Sequence, residues 1–149
     1  MSHTYSSIFF HIVWSTKNRL PKITDVFKEK LYGYIGGIIK NERCELLVIG
    51  GMSDHIHILV RIPAQYSVAN LVCKIKSNSS KFINQSHSQM KFLWQAGYGV
   101  FSVSLSKVNV VKNYIINQEI HLKKYSFMDE FLKLLNKHEI EHDKKYLFK

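Results

Sequence analysis

Two histidines one residue apart, His55 and His57, stand in the segment Asp54-His55-Ile56-His57-Ile58-Leu59-Val60-Arg61-Ile62. Side chains of an extended chain alternate between faces. Ile56, Ile58, Val60 and Ile62 therefore form one apolar face, while His55, His57, Leu59 and Arg61 point the other way. A two-residue step sets two imidazoles side by side, a spacing that lets both bind one ion, and a strand holds them rigidly. Two ordinary polar residues on a half-exposed strand have the same pattern, so the pair marks a candidate metal site and not yet a reaction. Asp54 reads first as a turn residue, with a partner role behind the histidines as the alternative.

A second set of reactive groups lies further along, in Val110-Val111-Lys112-Asn113-Tyr114-Ile115-Ile116-Asn117-Gln118. Its period is helical, so Tyr114 and Gln118 share a face, with His121 a further turn along. A tyrosine at that spacing is ordinarily core, but Gln118 and His121 on the same stripe argue against a purely apolar face. An amide oxygen is a hard ligand suited to Mg²⁺ or Mn²⁺, and imidazole suits Mn²⁺. Two histidines and one amide oxygen leave positions open for phosphate oxygens and water. A cation there polarises a phosphodiester, and a phenol with a free pKa near 10 is the matching nucleophile. Attack by it conserves the bond energy in a phosphotyrosine, so such a site implies strand transfer more than hydrolysis.

Four strands and several helices must position these groups. Tyr5 to Ser15 alternates, with Ile8, Phe10, Ile12 and Trp14 on one face and Phe9, His11 and Val13 on the other. His11 then borders the candidate site as a supporting residue. Thr24 is placed to cap a helix to about Glu42. A strand is expected over Cys44 to Ile49, a turn at Gly50-Gly51, and a strand over His55 to Ile62. Ser67 caps a helix to about Ile83, Tyr98 to Leu105 is the fourth strand, and helices follow over 107–123 and from about 126. The order βαββαβ predicts an α+β, ferredoxin-like antiparallel sheet with two helices on one face and the first and third strands central. The expected organisation is one domain: a core over about 5–105, a tyrosine helix over 107–123, and a C-terminal helix and tail over 126–149. The second sheet face is then functional, covered by the added helices, or both.

Composition narrows the partners. Lys and Arg outnumber Asp and Glu by 21 to 11, giving +10 and a pI near 9.6, which favours a polyanion. Lys17 and Arg19 after the first strand, Arg61, and Lys74, Lys76 and Lys81 on the second long helix are the candidate phosphate contacts. Tyr98 is a candidate for base stacking and Trp94 reads as packing. Cys44 and Cys73 suggest neither a disulfide framework nor a zinc site. No membrane-spanning run or secretory signal is visible, so a cytoplasmic location is expected.

The blocks His11-Ile12-Val13-Trp14-Ser15-Thr16-Lys17-Asn18-Arg19, Asp54 to Val60, Trp94 to Val103, and Tyr114-Ile115-Ile116-Asn117-Gln118 resemble, in order, those of the single-tyrosine HUH transposases of bacterial insertion sequences, the TnpA type, and the related REP-associated tyrosine transposases. His-hydrophobic-His alone is a weak motif; joined to Tyr-Ile-x-x-Gln it is specific. The resemblance implies that His55, His57 and Gln118 hold a divalent metal, Mg²⁺ or Mn²⁺, and that Tyr114 is the nucleophile. It also implies single-stranded DNA with hairpin ends as substrate, a 5′-phosphotyrosine with a free 3′-OH, and a homodimer. In that dimer the tyrosine helix can serve the partner's site through a hinge near Ser104 to Lys107. Many relatives carry two adjacent histidines after the glutamine block, whereas here His121 precedes Leu122.

Two other classes compete. An RNA-binding domain would use the open sheet face, with stacking aromatics on the central strands, where this chain offers histidines. A relaxase or replication-initiator nuclease shares the HUH chemistry but usually brings a third histidine in place of the glutamine.

Overall fold

The structure, a computed structural model, describes residues 3–87, 89 and 91–149. Its sheet is built from β1 (Phe9–Ser15), β2 (Glu45–Met52), β3 (His55–Arg61) and β4 (Gly99–Val103). All pairings are antiparallel and the order is β2-β3-β1-β4. With α1 (Lys28–Asn41) between β1 and β2, and α2 (Val68–Ser86) between β3 and β4, this is the expected ferredoxin-like arrangement, with β1 and β3 central.

Strand parity sorts the core into two sides. Ile12, Trp14, Ile56, Ile58 and Val60 pack against Leu31, Ile35 and Ile39 of α1 and Leu71, Val72, Ile75 and Ile83 of α2. The opposite face is also buried. α3 (Val108–Ile116), the single turn α4 (Gln118–His121) and α5 (Phe127–Lys137) follow β4. Val108 and Ile115 pack on Phe9 and Leu59. Phe127, Phe131 and Leu135 pack on Val13 and Phe101. The sheet surface that an RNA-binding reading requires is therefore covered by the chain's own helices.

Glycine permits both covering elements to close on the sheet. A Cβ on Gly50 of β2 would lie 2.8 Å from the Ile115 carbonyl oxygen of α3, and one on Gly99 of β4 would lie 2.9 Å from the Phe131 ring of α5. Backbone and ring occupy the space that any side chain would need.

Local readings shift in physically interpretable ways. β2 does not stop at Ile49: Gly50 and Gly51 pair with His57 and Ile56, and the reversal falls at Ser53-Asp54. α1 begins at Lys28, one turn after Thr24, whose carbonyl accepts from the Lys28 N–H. Ser67 and Ser126 cap α2 and α5, accepting from Asn70 N–H and Asp129 N–H. The expected continuous helix over 107–123 breaks at Asn117, whose φ of −94° and ψ of 23° end α3 before Gln118 starts the next turn. Among the described residues no helix is long and apolar enough to cross a membrane.

Candidate active site

His55 opens β3 directly after the tight turn, so Asp54 serves both expected roles. It occupies the turn, and its Oδ1 accepts from His55 Nδ1 at 2.7 Å. That bond directs Nε2 of His55 inward, where it lies 2.9 Å from Gln118 Oε1. The Gln118 amide is oriented by its other end, Nε2 donating to Glu130 Oε2 at 3.0 Å. The Gln118 amide oxygen only accepts, so it and the Nε2 lone pair of a neutral His55 would together face a cation placed between them.

His57, two residues on, lies with Nδ1 2.8 Å from His11 Nε2 and with Nε2 donating to Glu130 Oε1 at 2.8 Å. His11 is on the neighbouring central strand β1, where it pairs across to Leu59. It supports His57 from behind, as its position on the strand suggests. The phenol of Tyr114 donates to Glu130 Oε2, and its ring stands edge-on to His57 with centroids 6.0 Å apart. Phe127 stacks on His55 at 3.8 Å, nearly parallel. Tyr114, Gln118, His55 and His57 thus meet within one chain, although α3 and α4 are separated by a kink. The side chain of His121 lies outside the described residues.

Glu130 is the group that sequence reasoning missed. Its signal was present: Phe127, Phe131 and Leu135 form the buried stripe of α5, and a carboxylate three residues after Phe127 falls on that stripe. Buried carboxylates are uncommon unless paired. Here Oε1 and Oε2 together accept from His57, Tyr114 and Gln118.

Burial and these bonds set the charges. Burial alone would raise the Glu130 pKa, but the hydrogen bonds and charge of His57, then the bonds from Tyr114 and Gln118, hold it down to about 2. Burial lowers His57, against the opposing pull of Glu130. Burial and then His57 lower His11 well below its ordinary value. Tyr114 is pushed well above the usual phenol range, first by burial and then by Glu130.

His55, His57 and Glu130 each offer one ligand atom, and these atoms lie within 4.8 Å of one another. His55 Nε2 is 3.8 Å from Glu130 Oε1, His57 Nε2 is 2.8 Å from that same oxygen, and Gln118 Oε1 is 2.9 Å from His55 Nε2. Ligands about 2.1 Å from one ion stand roughly 3 to 4 Å apart. The two-nitrogen, two-oxygen donor set completed by Gln118 Oε1 therefore fits a divalent cation.

The basic candidates of α2 lie elsewhere. Lys74, Lys76 and Lys81 belong to α2, which packs on the sheet face opposite His55 and His57. Lys74 pairs with Glu42 at 2.6 Å. Lys76 is half-buried and pins a loop by donating to the Gln95, Ala96 and Gly97 carbonyls, and burial lowers its pKa to about 8. Arg61 donates to the Ser6 carbonyl and Arg19 lies over the Phe148 ring. Lys17 is exposed in the turn after β1. Trp94 is packing, as expected, its Nε1 donating to Ser79 Oγ. Tyr98 lies beneath the Lys76 ammonium, away from the histidines.

Comparison with known proteins supplies the family and supports the fold. The family model described as "Transposase IS200 like" matches residues 4–118. The chain is 27% identical over 124 residues to the transposase for insertion sequence element IS200 of Salmonella typhimurium, covering 79% of this chain and 81% of that protein. It is 23% identical over 115 residues to the ISDra2 transposase TnpA of Deinococcus radiodurans, covering 73% and 82%. Among solved structures, a crystal structure from Deinococcus radiodurans described as a transposase candidate superposes with a TM-score of 0.66 at 23% identity, covering 79% and 95%. A REP-associated tyrosine transposase bound to a REP hairpin superposes with a TM-score of 0.63 at 13% identity, covering 81% and 72%. The ferredoxin-like sheet, the buried histidine pair and the match over residues 4–118 converge: this chain belongs to the IS200-like transposase family.

Proposed function

We propose that this transposase cleaves and rejoins single-stranded DNA at hairpin-bearing ends, with Tyr114 as the nucleophile and a 5′-phosphotyrosine as the intermediate. The observation that carries the reading is one hydrogen-bonded cluster in which Tyr114 and Gln118 reach the His55 and His57 pair through Glu130.

His55, His57, Gln118 and Glu130 Oε1 would hold a divalent cation, and its two imidazole donors favour Mn²⁺ over Mg²⁺. When bound, the cation polarises the scissile phosphate and offsets its developing charge. Asp54 and His11 fix the ring orientations of the two histidines. Glu130 divides its labour by atom: Oε1 faces His57, and Oε2 is the acceptor at the Tyr114 hydroxyl. As the tyrosyl oxygen bonds to phosphorus, its proton leaves along the hydrogen bond to Oε2 and on to solvent, because so acidic a carboxylate relays a proton without keeping it. The P–O3′ bond breaks, and the 3′-oxygen leaves as a hydroxyl protonated from solvent. Rejoining runs in reverse: a 3′-OH attacks the phosphotyrosine and gives its proton to solvent, and the phenol regains one from solvent by way of Oε2. Phe127 over His55 helps exclude the water that would divert the intermediate to hydrolysis.

The whole chain acts as one HUH domain in this reading and works as a homodimer. The contact of Tyr114 with His57 of its own chain supports sites completed in cis. The test is incubation with hairpin-bearing single-stranded DNA and Mn²⁺ or Mg²⁺, followed by a denaturing gel. A covalent adduct is expected, lost on chelation and in Tyr114→Phe; an adduct that persists in Tyr114→Phe overturns the assignment.

A further inference from the structure

A cleft of about 750 Å³ opens between β4, α3 and α5, within the range of about 300–1,000 Å³ typical of ligand clefts. Its inner end is formed by Tyr114, His11 and Glu130, so it leads from the surface to the reacting hydroxyl. Its outer walls carry Lys107, which precedes α3, and Lys133 and Lys137, one turn apart on α5. Tyr125 also lines it, more than half exposed, with the Lys133 ammonium 5.8 Å from its ring centre. Two carboxylates oppose these cations. Asp129 is at the wall, and Glu130, at the inner end, is already engaged by His57, Tyr114 and Gln118. The balance on the walls is cationic and includes one aromatic face, the combination that receives single-stranded nucleic acid. The lysines of α2 stand on the other side of the sheet and offer no such route.

We infer that this cleft seats the single-stranded nucleotides flanking the scissile phosphate, with Lys107, Lys133 and Lys137 on their phosphates and Tyr125 beneath a base. The inference rests on the proposed reaction and deepens it by naming where the strand lies. Tyr125, Lys133 and Lys137 all fall beyond the residues matched by the family model, so this part of the path belongs to the chain's own C-terminal segment.

The test measures binding without chemistry. Full-length Tyr114→Phe protein is titrated, with chelator present, against a fluorescein-labelled twelve-nucleotide oligothymidylate, and anisotropy is read across a salt series. Adding Lys133→Gln and Lys137→Gln is expected to weaken binding about tenfold and to lower the slope of log affinity against log salt by about 1.4, two single-strand contacts. Lys74→Gln with Lys81→Gln is expected to leave both values unchanged. Tyr125→Ala should weaken binding further, with Tyr125→Phe restoring it. An unchanged slope for the α5 pair, or an equal loss from the α2 pair, overturns the inference. The adduct assay on protein retaining Tyr114 separates this failure from failure of the proposed reaction, since an adduct can form while the α5 pair proves silent.

Discussion

Nε2 of His57 donates to Oε1 of Glu130 at 2.8 Å, tying a central strand to the last long helix across 73 residues of sequence. The bond places a carboxylate where the sequence motifs supply only imidazole and amide, and it makes α5 part of the candidate site.

Replacing Glu130 should therefore affect both metal and fold. Glu130→Gln is expected to weaken Mn²⁺ binding by at least tenfold, read by calorimetric titration, and to slow adduct formation. Glu130→Ala leaves the donors of His57, Tyr114 and Gln118 without their acceptor, at about 1–3 kcal/mol for each group left buried. Urea denaturation should show that loss. Unchanged Mn²⁺ affinity in Glu130→Gln would remove Glu130 from the ligand set.

Metal-free protein should lose stability in acid in two stages. Buried His11 and His57 have lowered pKa values, so the unfolded chain takes up protons first. Their contribution is present above about pH 6.5 and falls away as pH drops toward the folded values. Glu130, depressed to about 2 from an ordinary 4.5, adds stability that is present above about pH 4.5 and lost as pH falls toward 2. Thermal melting from pH 8 to 2 checks both, and His11→Gln should flatten the upper stage. A melting temperature that rises on acidification through pH 6 would contradict the sign.

Gly50→Ala should damage the site from a distance. The added methyl meets the Ile115 carbonyl 2.8 Å away, and backbone cannot rotate aside as a flexible side chain can. A loss of about 1–3 kcal/mol is expected, with adduct formation falling because α3 carries Tyr114. Gly33→Ala is the control, since its Cβ would meet nothing within 4 Å and a helical alanine is favoured. Equal effects of the two substitutions would sink the packing argument.

Completion in cis predicts the outcome of mixing. Tyr114→Phe and His57→Ala proteins combined under conditions of proven subunit exchange should remain inactive, because no chain carries both an intact nucleophile and an intact histidine pair. Recovery of adduct would place Tyr114 in the partner's site. Light scattering on the same samples reports whether the proposed homodimer forms.

Much of this architecture was legible because it repeats locally. A strand alternates its side chains every residue, which alone sets His55 and His57 on one face opposite Ile56 and Ile58, and predicts His11 beside them on the neighbouring central strand. A helix returns every 3.6 residues, which sets Tyr114 and Gln118 on one stripe even across the kink at Asn117. These periodicities belong to the backbone, so composition along the chain reveals them. Charge density is visible in the same way, but the side of the sheet on which a lysine stands is not. Lys74, Lys76 and Lys81 are gathered by sequence and directed away from the site by the packing of α2. Glu130 meeting His57, Lys133 and Lys137 lining the cleft, and Phe127 covering His55 depend on how α5 crosses the second face of the sheet. That crossing is decided by long-range packing, by Phe127, Phe131 and Leu135 against Val13 and Phe101, and by the missing side chain at Gly99. No local period encodes those contacts, so only the tertiary structure could supply them.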